Sequence, residues 1–272
     1  MKHLHLGQLD GQVMLFGGPY SNLQATQALL DRARAAGLAQ THVICTGDVV
    51  AYCGAPAETV EAIREAGITV VAGNCEKQLG SGAEDCGCGF EEGSACDLLS
   101  VAWFGYASRC LSQEQKNWMA EAPDIATFDH CGARYAVIHG GISDIARFVW
   151  PVSAMEIFEE EWRLIEAAVG PVDHVVAGHI GFPFVKQLRT GTWINAGVIG
   201  MPPHDGERAS RYAMLTDGSV EISALDYDAD AAAQDMAAAG LPEGYRDGLL
   251  SGYWPSEDVL PPELRRGVSA SG

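Results

Sequence analysis

The sequence predicts an α/β protein, and three observations lead to this prediction. Short apolar, β-branched runs each end at a glycine beside one polar residue, at residues 42–48, 69–74, 135–140 and 174–179. Runs that are apolar throughout are typical of strands covered on both faces by other layers. Amphipathic segments that end at glycine lie before and between the first two runs, as in β-α-β units. Hydrophobic residues make up 47% of the 272 positions, which is enough for a full core.

A β-hairpin is predicted at the start of the chain. Apolar residues alternate on both sides of Asp10-Gly11, a dipeptide typical of two-residue hairpin turns. The second strand of this hairpin, Val13–Phe16, would lead into the sheet. The order β-α-β-α-β over about the first 75 residues then predicts parallel strands joined by right-handed crossovers.

Capping signals and periodicity place the remaining elements. The helix-start signals are Ser21 or Asn22, Ser112 with Gln115, and Ser153 with Glu156. Further helices are predicted at about 56–66, from about 98, and at 229–239 and 242–252. Short strands are predicted at 184–188, 192–195, 212–215 and 220–225, with the turn Asp217-Gly218 joining the last two as a hairpin. The tail from Pro255 is rich in proline, glutamate and serine, and we expect it to be partly disordered.

The charge and the cysteines limit the function and the compartment. A net charge of −19 argues against a nucleic-acid partner, since phosphate backbones are held by lysine and arginine. It would also repel a phosphorylated ligand unless a bound cation offset it locally. No apolar run approaches the ~20 residues of a membrane span, and the first residues do not begin a signal peptide. We therefore expect a cytoplasmic protein whose eight cysteines are thiols or metal ligands.

The polar residues that follow the four apolar runs form a candidate metal site. Ligands of α/β sheets bind beyond the carboxyl ends of the strands. We therefore expect four residues, which we call the strand-end group, to meet there: Asp48, Asn74, His139 and His179. A carboxylate, an amide oxygen and two imidazoles suit a divalent transition metal such as Mn, Fe or Zn. A lone aspartate would more often cap a helix, but four ligand types at four matched strand ends favour a metal site.

Several motifs carry a resemblance to a known family. They are Gly47–Tyr52, Gly73-Asn74, His139-Gly140, Gly178-His179, and Ile194–Gly197 with Gly200 and Pro202. In order and spacing they are similar to the calcineurin-like metallophosphoesterases, most closely to small bacterial phosphodiesterase-type members, over about residues 13–225. The resemblance implies a four-layer α/β/β/α sandwich of two mixed sheets, here a single domain over residues 1–254 followed by the tail 255–272. Members of the family typically use two metals, bridged by one aspartate, to hydrolyse phosphoesters.

The departures from the family motifs concern one of its two metals. They lie at residues 18–22, 74–76 and 178–181. The resemblance implies that the second metal keeps all of its ligands, which are the strand-end group. The first metal would keep only the bridging Asp48, because glycine or tyrosine stands at positions 18, 20 and 181.

The same motifs supply candidates for catalysis and substrate binding. Cys75 stands where the family usually has the histidine that protonates the leaving group, so Cys75 and the neighbouring Glu76 are catalytic candidates. Asn22 and Tyr20 of the first motif are candidates for substrate binding, and simple packing beside the site is the alternative for Tyr20.

A glycine-rich segment at 77–97 is predicted to be a loop that carries cysteines. The candidates for extra metal ligands are Cys53, Cys86, Cys88 and Cys96. Their spacing matches no zinc-ribbon pattern. If the loop folds over the strand ends, these thiols and Cys75 would rebuild a softer second site; buried or surface thiols are the alternative.

Two classes of function remain open from the sequence. The first is a phosphomonoesterase or phosphodiesterase with an altered metal centre, either mononuclear or supplemented by cysteine, acting on a small phosphorylated substrate. The second is a catalytically weak or inactive protein of the same fold that binds a metal or a phosphorylated ligand for sensing. One metal can still polarise a phosphoryl oxygen, but hydrolysis without the second is expected to be slow.

Overall fold

The computed structural model describes residues 1–89, 91 and 93–267, and for residues 95–98 it describes the backbone alone. The strands are β1 His3–Gln8, β2 Val13–Phe16, β3 Val43–Cys45, β4 Thr69–Val70, β5 Ile125–His130, β6 Ala133–Val137, β7 His174–Ala177, β8 Phe184–Gln187, β9 Thr192–Asn195, β10 Ser210–Thr216 and β11 Ser219–Leu225. The α-helices are α1 Leu23–Ala35, α2 Pro56–Ala66, α3 Asn74–Ser81, α4 Ala95–Cys110, α5 Gln113–Glu121, α6 Met155–Val169, α7 Ala229–Ala238 and α8 Glu243–Ser251.

The strands form two mixed sheets. One is six-stranded, in the order β1-β5-β6-β7-β9-β8, and the other is five-stranded, in the order β11-β10-β2-β3-β4. The strands β2, β3 and β4 are parallel to one another, as the β-α-β-α-β pattern predicts. In the other sheet β6, β7 and β9 are parallel. Each sheet also contains antiparallel pairs, for example β10 with β11 and β5 with β6.

Strand β2 shows why its residues are apolar throughout. Side chains alternate between the faces of a strand. Val13 and Leu15 belong to the apolar core that joins the two sheets. Met14 and Phe16 point the other way, into the core between the five-stranded sheet and its helices. Both faces of the strand are therefore buried, and a polar residue on either face would lose its water.

The outer helices complete four layers. On the six-stranded sheet, α6 buries Phe158, Trp162 and Ile165, a spacing that places all three on one helical face. On the five-stranded sheet the remaining helices supply residues such as Leu29 and Ile63. This is the predicted α/β/β/α sandwich, which is confirmed. No helix in the described part of the chain is long and apolar enough to cross a membrane.

The predicted N-terminal hairpin is wrong. Strand β1 pairs in parallel with β5, whereas β2 lies in the other sheet between β3 and β10. The turn Asp10-Gly11 therefore connects the two sheets instead of folding one strand back on the other. Leu9 is buried between the sheets, and its N–H donates to the carbonyl of Asp129 (2.9 Å). A local turn signal cannot distinguish these two connections, because the choice depends on partners more than a hundred residues away.

Two capping signals have different outcomes. Ser112 and Gln115 form the predicted reciprocal box at the start of α5, with bonds of 3.1 and 3.2 Å. The box predicted at Ser153 and Glu156 is wrong. Helix α6 begins after Ala154, and the Ser153 hydroxyl instead accepts the N–H of Trp150 (2.9 Å).

The two segments expected to be irregular contain structure. Helices α3 and α4 occupy both ends of the loop predicted at 77–97. Within the tail, Leu260 is 1% exposed and packs with Trp150 and Ile180, and residues 262–264 form a short 3-10 helix. Residues 268–272 lie outside the described part. The end of the domain at residue 254 stays a prediction.

Candidate metal centre

The strand-end group lies where the two sheets present the carboxyl ends of their parallel strands. Asp48 and Asn74 follow β3 and β4 of one sheet, and His139 and His179 follow β6 and β7 of the other. The structure brings all four together, with the ligand atoms of its two histidines and its aspartate within 4.8 Å of one another. Asp48 and His179 have positive φ angles of 57° and 63°, an uncommon conformation for non-glycine residues that is often found at functional sites.

Two glycines at the strand ends allow the loops after β3 and β4 to approach each other this closely. A Cβ on Gly47 would lie 2.5 Å from the backbone nitrogen of Gly73, and Gly47 has a φ of 103°. A Cβ on Gly73 would collide with the carboxylate of Asp48. The glycines that end these apolar runs are therefore needed to bring the loops after β3 and β4 into contact.

The atoms around His139 are arranged as acceptors. The Nδ1 of His139 lies 2.7 Å from the carbonyl oxygen of Thr46, which can only accept, so Nδ1 carries the hydrogen. In the neutral ring Nε2 is then an acceptor. It lies 3.0 Å from Oδ1 of Asn74, 3.1 Å from Nδ1 of His179 and 3.2 Å from Oδ2 of Asp48. The oxygens of Asn74 and Asp48 can only accept, so they repel an unprotonated Nε2 unless a cation lies among them or Nε2 itself is protonated.

The pKa shifts within the strand-end group are consistent with a cation-binding site. Burial alone would raise the pKa of Asp48, but the neighbouring His139 outweighs burial and lowers it. Burial and then His139 lower the pKa of His179 to about 3, so this ring stays neutral. Burial also works against charge on His139, yet Asp48 outweighs it and raises its pKa. The only positive charge available to the carboxylate from within the group is therefore a proton on His139.

Unsatisfied and oriented atoms provide a further test of fit. Nε2 of His179 is buried and has no hydrogen-bond partner in the described part of the protein. The amide nitrogen of Asn74 donates to the carbonyl of Cys86 (2.9 Å), which turns its oxygen toward His139. One carboxylate, one amide oxygen and two imidazoles, already oriented, suit a divalent transition metal. The residues present therefore fit the ion that the sequence predicts.

Glu76 has a different role from the catalytic one suggested by the sequence. Its carboxylate accepts the backbone N–H groups of Asp48 (2.7 Å), Val49 (2.8 Å) and Gly73 (2.8 Å), and the residue is fully buried. Burial, followed by the nearby Asp48, raises the pKa of Glu76 to about 7. Glu76 fastens the loop after β3 to the loop after β4, so it positions the strand-end group and does not reach a substrate.

We expect Glu76→Gln to weaken metal binding by about 10- to 100-fold, the usual effect of losing a residue that orients metal ligands. The amide keeps the shape of the side chain but places an NH₂ against at least one backbone N–H. Calorimetric titration with Mn²⁺ measures the affinity. Glu58→Gln, an exposed site on α2, is the control that should leave it unchanged. Equal affinities for both variants would contradict the positioning role.

Cys75 is less accessible than its predicted role requires. It is 1% exposed and belongs to the core beneath the five-stranded sheet. Burial, and then Asp48, raise the pKa of the Cys75 thiol well above its usual value, which favours the thiol over the thiolate. Its backbone N–H donates to Oδ1 of Asp48 (3.1 Å). In this structure Cys75 orients a metal-site carboxylate through its backbone, and its sulfur does not line the cleft.

Of the two substrate-binding candidates, only Tyr20 faces the site. Asn22 is buried and caps α1, with its oxygen accepting the N–H of Ala25 (3.0 Å) and its amide donating to Gly200 (3.0 Å). Its polar atoms are thus used within the fold, which corrects the prediction. The hydroxyl of Tyr20 lies 3.4 Å from the carbonyl of His179, at the edge of hydrogen-bond range, and its ring lines the cleft.

Where the family has the ligands of its first metal, this protein has glycine or tyrosine, and neighbouring side chains occupy the space beside Gly18. A Cβ on Gly18 would lie 2.5 Å from the ring of Tyr20 and 2.7 Å from Cγ1 of Val198. A Cβ on Gly181 would lie 3.3 Å from Val198. Burial raises the pKa of Tyr20 well above its usual value, so its phenol stays protonated. Side chains in the described structure therefore offer nothing at these three positions in place of the missing ligands.

The cysteines whose side chains the structure describes do not assemble a second site either. Cys86 and Cys88 form a disulfide, so the expectation that both are free thiols is wrong, and neither sulfur is a thiolate. Cys53 is buried in the core, where its thiol donates to the carbonyl of Gly200 (3.7 Å). The side chain of Cys96 lies outside the described residues. Cys88 alone of the described pair reaches the cleft beside the strand-end group.

Sequence comparison identifies the family to which this fold belongs. The calcineurin-like phosphoesterase superfamily domain matches residues 13–218, and the chain belongs to this superfamily. At family level this places it among metal-dependent phosphoester hydrolases, which use divalent ions and phosphorylated substrates.

Three similar proteins extend the comparison over most of the chain. An uncharacterized protein of Methanocaldococcus jannaschii is 24% identical over 253 residues, covering 86% of this chain and 95% of the relative. A hypothetical protein from Pyrococcus horikoshii OT3 has a TM-score of 0.72 at 16% identity. The match covers 90% of this chain and all of that protein's chain. A metallophosphoesterase from Sphaerobacter thermophilus has a TM-score of 0.69 at 19% identity, with the same coverage. These two structures show the fold.

Sequence analysis missed the aromatic residues above the strand-end group. Phe148 and Trp150 come from the connection between β6 and α6, and Trp254 is the last residue before the tail. None of them lies in a periodic element or a motif, so their position depends entirely on tertiary packing. Val259 and Leu260, apolar residues within the segment expected to be partly disordered, were the available sequence signal that this segment packs against the fold.

Proposed function

We propose that this protein hydrolyses small phosphoesters with one divalent transition metal ion held by the strand-end group. The observation that carries the proposal is the convergence on Nε2 of His139 of the amide oxygen of Asn74, Nδ1 of His179 and the carboxylate of Asp48, at 3.0–3.2 Å, a cluster of ligand atoms that a cation would bind. When bound there, a divalent ion polarises a phosphoryl oxygen and makes water a better nucleophile at neutral pH.

The residues around this group hold it ready for the reaction. Thr46 fixes the tautomer of His139 through its carbonyl, so that Nε2 faces the site. Cys86 fixes the orientation of the Asn74 amide in the same way. Two hydrogen bonds hold Asp48 in place. Its backbone N–H donates to the carboxylate of Glu76, and its own carboxylate accepts the backbone N–H of Cys75. Such preorganisation lowers the cost of arranging ligands and reactants when the substrate binds.

The same site also explains why the reaction is expected to be slow. The places of the first metal's ligands are bare or filled, and the thiol that replaces the usual proton donor is buried. The leaving oxygen therefore receives neither a second ion nor a side-chain proton. Substrates with good leaving groups should react, because they need little assistance of either kind.

A second candidate function follows from the same two observations. A site with one ion and no proton donor would retain a phosphorylated ligand without cleaving it, as a sensing protein requires. Turnover of bis(p-nitrophenyl) phosphate and p-nitrophenyl phosphate, with added Mn²⁺ or Zn²⁺, distinguishes the two. We expect metal-dependent turnover that chelation abolishes and that His179→Ala lacks. Ligand binding without any such turnover would favour sensing instead.

A further inference from the structure

A cleft opens above the strand-end group. Aromatic rings form a substantial part of its lining. Six of them define what we call the aromatic cleft: Tyr20, Tyr52, Phe148, Trp150, Tyr245 and Trp254. Asp48, Asn74 and His179 line the same cleft, so a ligand that contacts the metal residues also contacts these rings.

The rings are ordered by contacts with one another. Tyr52 stacks on Tyr245 with centroids 4.4 Å apart, and Tyr20 meets Tyr52 edge-on at 4.7 Å. Phe148 stacks on Trp150 at 5.8 Å and lies 4.8 Å from the ring of His179. Preformed aromatic surfaces of this kind favour a planar apolar group, which gains contact area without having to order the site.

The charge of the cleft selects the ionic form of the ligand. Of the described residues that line it, only Asp48 is charged at neutral pH, and no lysine or arginine is among them. Counting its four ligands alone, a divalent ion at this site leaves a single positive charge, and the buried carboxylate of Glu76 beside Asp48 can only reduce it. A phosphodiester monoanion would neutralise that charge. A phosphomonoester dianion would leave an uncompensated negative charge in an apolar cleft, which is costly.

The indole of Trp254, which directly precedes the tail, is held firmly at this cleft. Its ring N–H donates to the carbonyl of Pro202 (2.8 Å), and its backbone N–H donates to Nδ1 of His204 (2.8 Å). His204 in turn contacts the carboxylate of Glu257 (2.8 Å). Trp254 is therefore a fixed part of the binding surface and a suitable residue with which to test it.

We propose that the ligand of this site is a phosphodiester monoanion that carries a planar aromatic ester group, with the ring bound in the aromatic cleft. This rests on the function proposed above and adds the substrate class to it. In the reaction, the oxygen of water forms a bond to phosphorus, and the bond from phosphorus to one ester oxygen breaks. The proton lost by water passes to solvent, and the ester oxygen leaves as a phenolate, or as an alcohol that takes up a proton from solvent.

The products fit the same charge argument. Hydrolysis of a diester monoanion yields a phosphomonoester that becomes a dianion at neutral pH. That product has one negative charge more than the site compensates, so its release is favoured and a second hydrolysis is not. The overall charge of −19 acts in the same direction. The site should therefore stop after one ester bond.

Equilibrium binding tests the ligand class with a readout other than turnover. Calorimetric titration of the Mn²⁺-loaded protein would compare diphenyl phosphate with phenyl phosphate, which has an added charge, and with dimethyl phosphate, which lacks rings. We expect diphenyl phosphate to bind at least about 10-fold more tightly than either, a difference of about 1.4 kcal/mol. Equal or tighter binding of phenyl phosphate, or of dimethyl phosphate, would overturn the proposal.

A variant identifies the surface responsible. Trp254→Ala should weaken diphenyl phosphate binding about 10-fold and leave metal content and dimethyl phosphate binding unchanged. Trp118→Ala, on α5 away from the cleft, is the matched control. An unchanged affinity of Trp254→Ala for diphenyl phosphate would contradict the placement of the ring. If Trp254→Ala does not fold, the probe selectivity of the unaltered protein still decides the question.

Turnover separates a failure of this inference from a failure of the proposed function. Bis(p-nitrophenyl) phosphate and methyl p-nitrophenyl phosphate share charge and leaving group and differ only in the second ester group. Faster turnover of the diaryl ester, measured as kcat/KM, supports the inference. Equal turnover of both overturns it and leaves the hydrolase intact. Selective binding of diphenyl phosphate without turnover of any ester would overturn the hydrolase and support the ligand class.

Discussion

His139→Ala should lose at least about 100-fold in affinity for Mn²⁺ or Zn²⁺, more than is usual for losing a residue behind a metal ligand. The ring is the centre of the strand-end group, since its Nε2 lies within 3.0–3.2 Å of the other three members. His179→Ala should have a similar effect, because it also removes one of four ligands. Metal analysis after dialysis, followed by calorimetric titration, measures both losses.

The matched control is His174, at the start of strand β7, the strand that leads to the ligand His179. His174 begins β7 and packs against the ring of Tyr135 at 4.5 Å, whereas His179 follows the opposite end of the strand. His174→Ala should keep its metal. Like His179→Ala, it removes a histidine that packs against an aromatic ring, so it controls for the loss of that packing. Full metal content in both His139→Ala and His179→Ala would show that the strand-end group is not the metal site.

The position of the strand-end group was predictable because it follows from local patterns and one general property of sheets. Each apolar run identified a strand, and each glycine identified the point where that strand ends. Parallel strands deliver their carboxyl ends to one edge. The resemblance to the family added that these strands belong to two sheets, which the apolar runs alone did not show. The arrangement of β2, β3 and β4 was predictable for the same reason.

The roles of neighbouring polar residues were not predictable from such patterns. Glu76 follows a ligand in sequence and therefore suggested catalysis, yet its carboxylate is fully used by three backbone N–H groups. Asn22 is used in the same way by Ala25 and Gly200. The sequence shows that a polar side chain is present but not which distant backbone groups it will meet. The N-terminal hairpin failed for a related reason, since strand partners are chosen by tertiary contacts.

A single bound ion per chain is the second large effect that we expect. Positions 18 and 181 have no side chains, and the ring of Tyr20 together with Val198 fills the space beside Gly18. Asp48 alone cannot hold another ion there. Metal analysis of the purified protein should therefore give about one equivalent of divalent ion, and inactivation by chelation should follow loss of that one ion.

Restoring the family's usual ligands should add the second ion. Three substitutions supply the ligands, and a fourth removes the methyl group that lies 2.7 Å from a Cβ at position 18: Gly18→Asp, Tyr20→His, Gly181→His and Val198→Ala. We expect two ions per chain and diesterase turnover raised on the order of 100-fold, as one well-placed charge contributes in other active sites. The variant that retains Val198 is the control and should bind the second ion more weakly, because its new carboxylate has no room.

The cysteines supply the decisive test of this expectation. A wild-type protein with two ions would require ligands from outside the family's usual set, and the available thiols are those of Cys53, Cys75, Cys86, Cys88 and Cys96. Reducing the disulfide between Cys86 and Cys88 would release two of them beside Asn74, whose amide nitrogen lies 3.6 Å from the sulfur of Cys88. A second ion that survives replacement of all five cysteines by serine would show that the first site still forms despite the loss of its usual side chains.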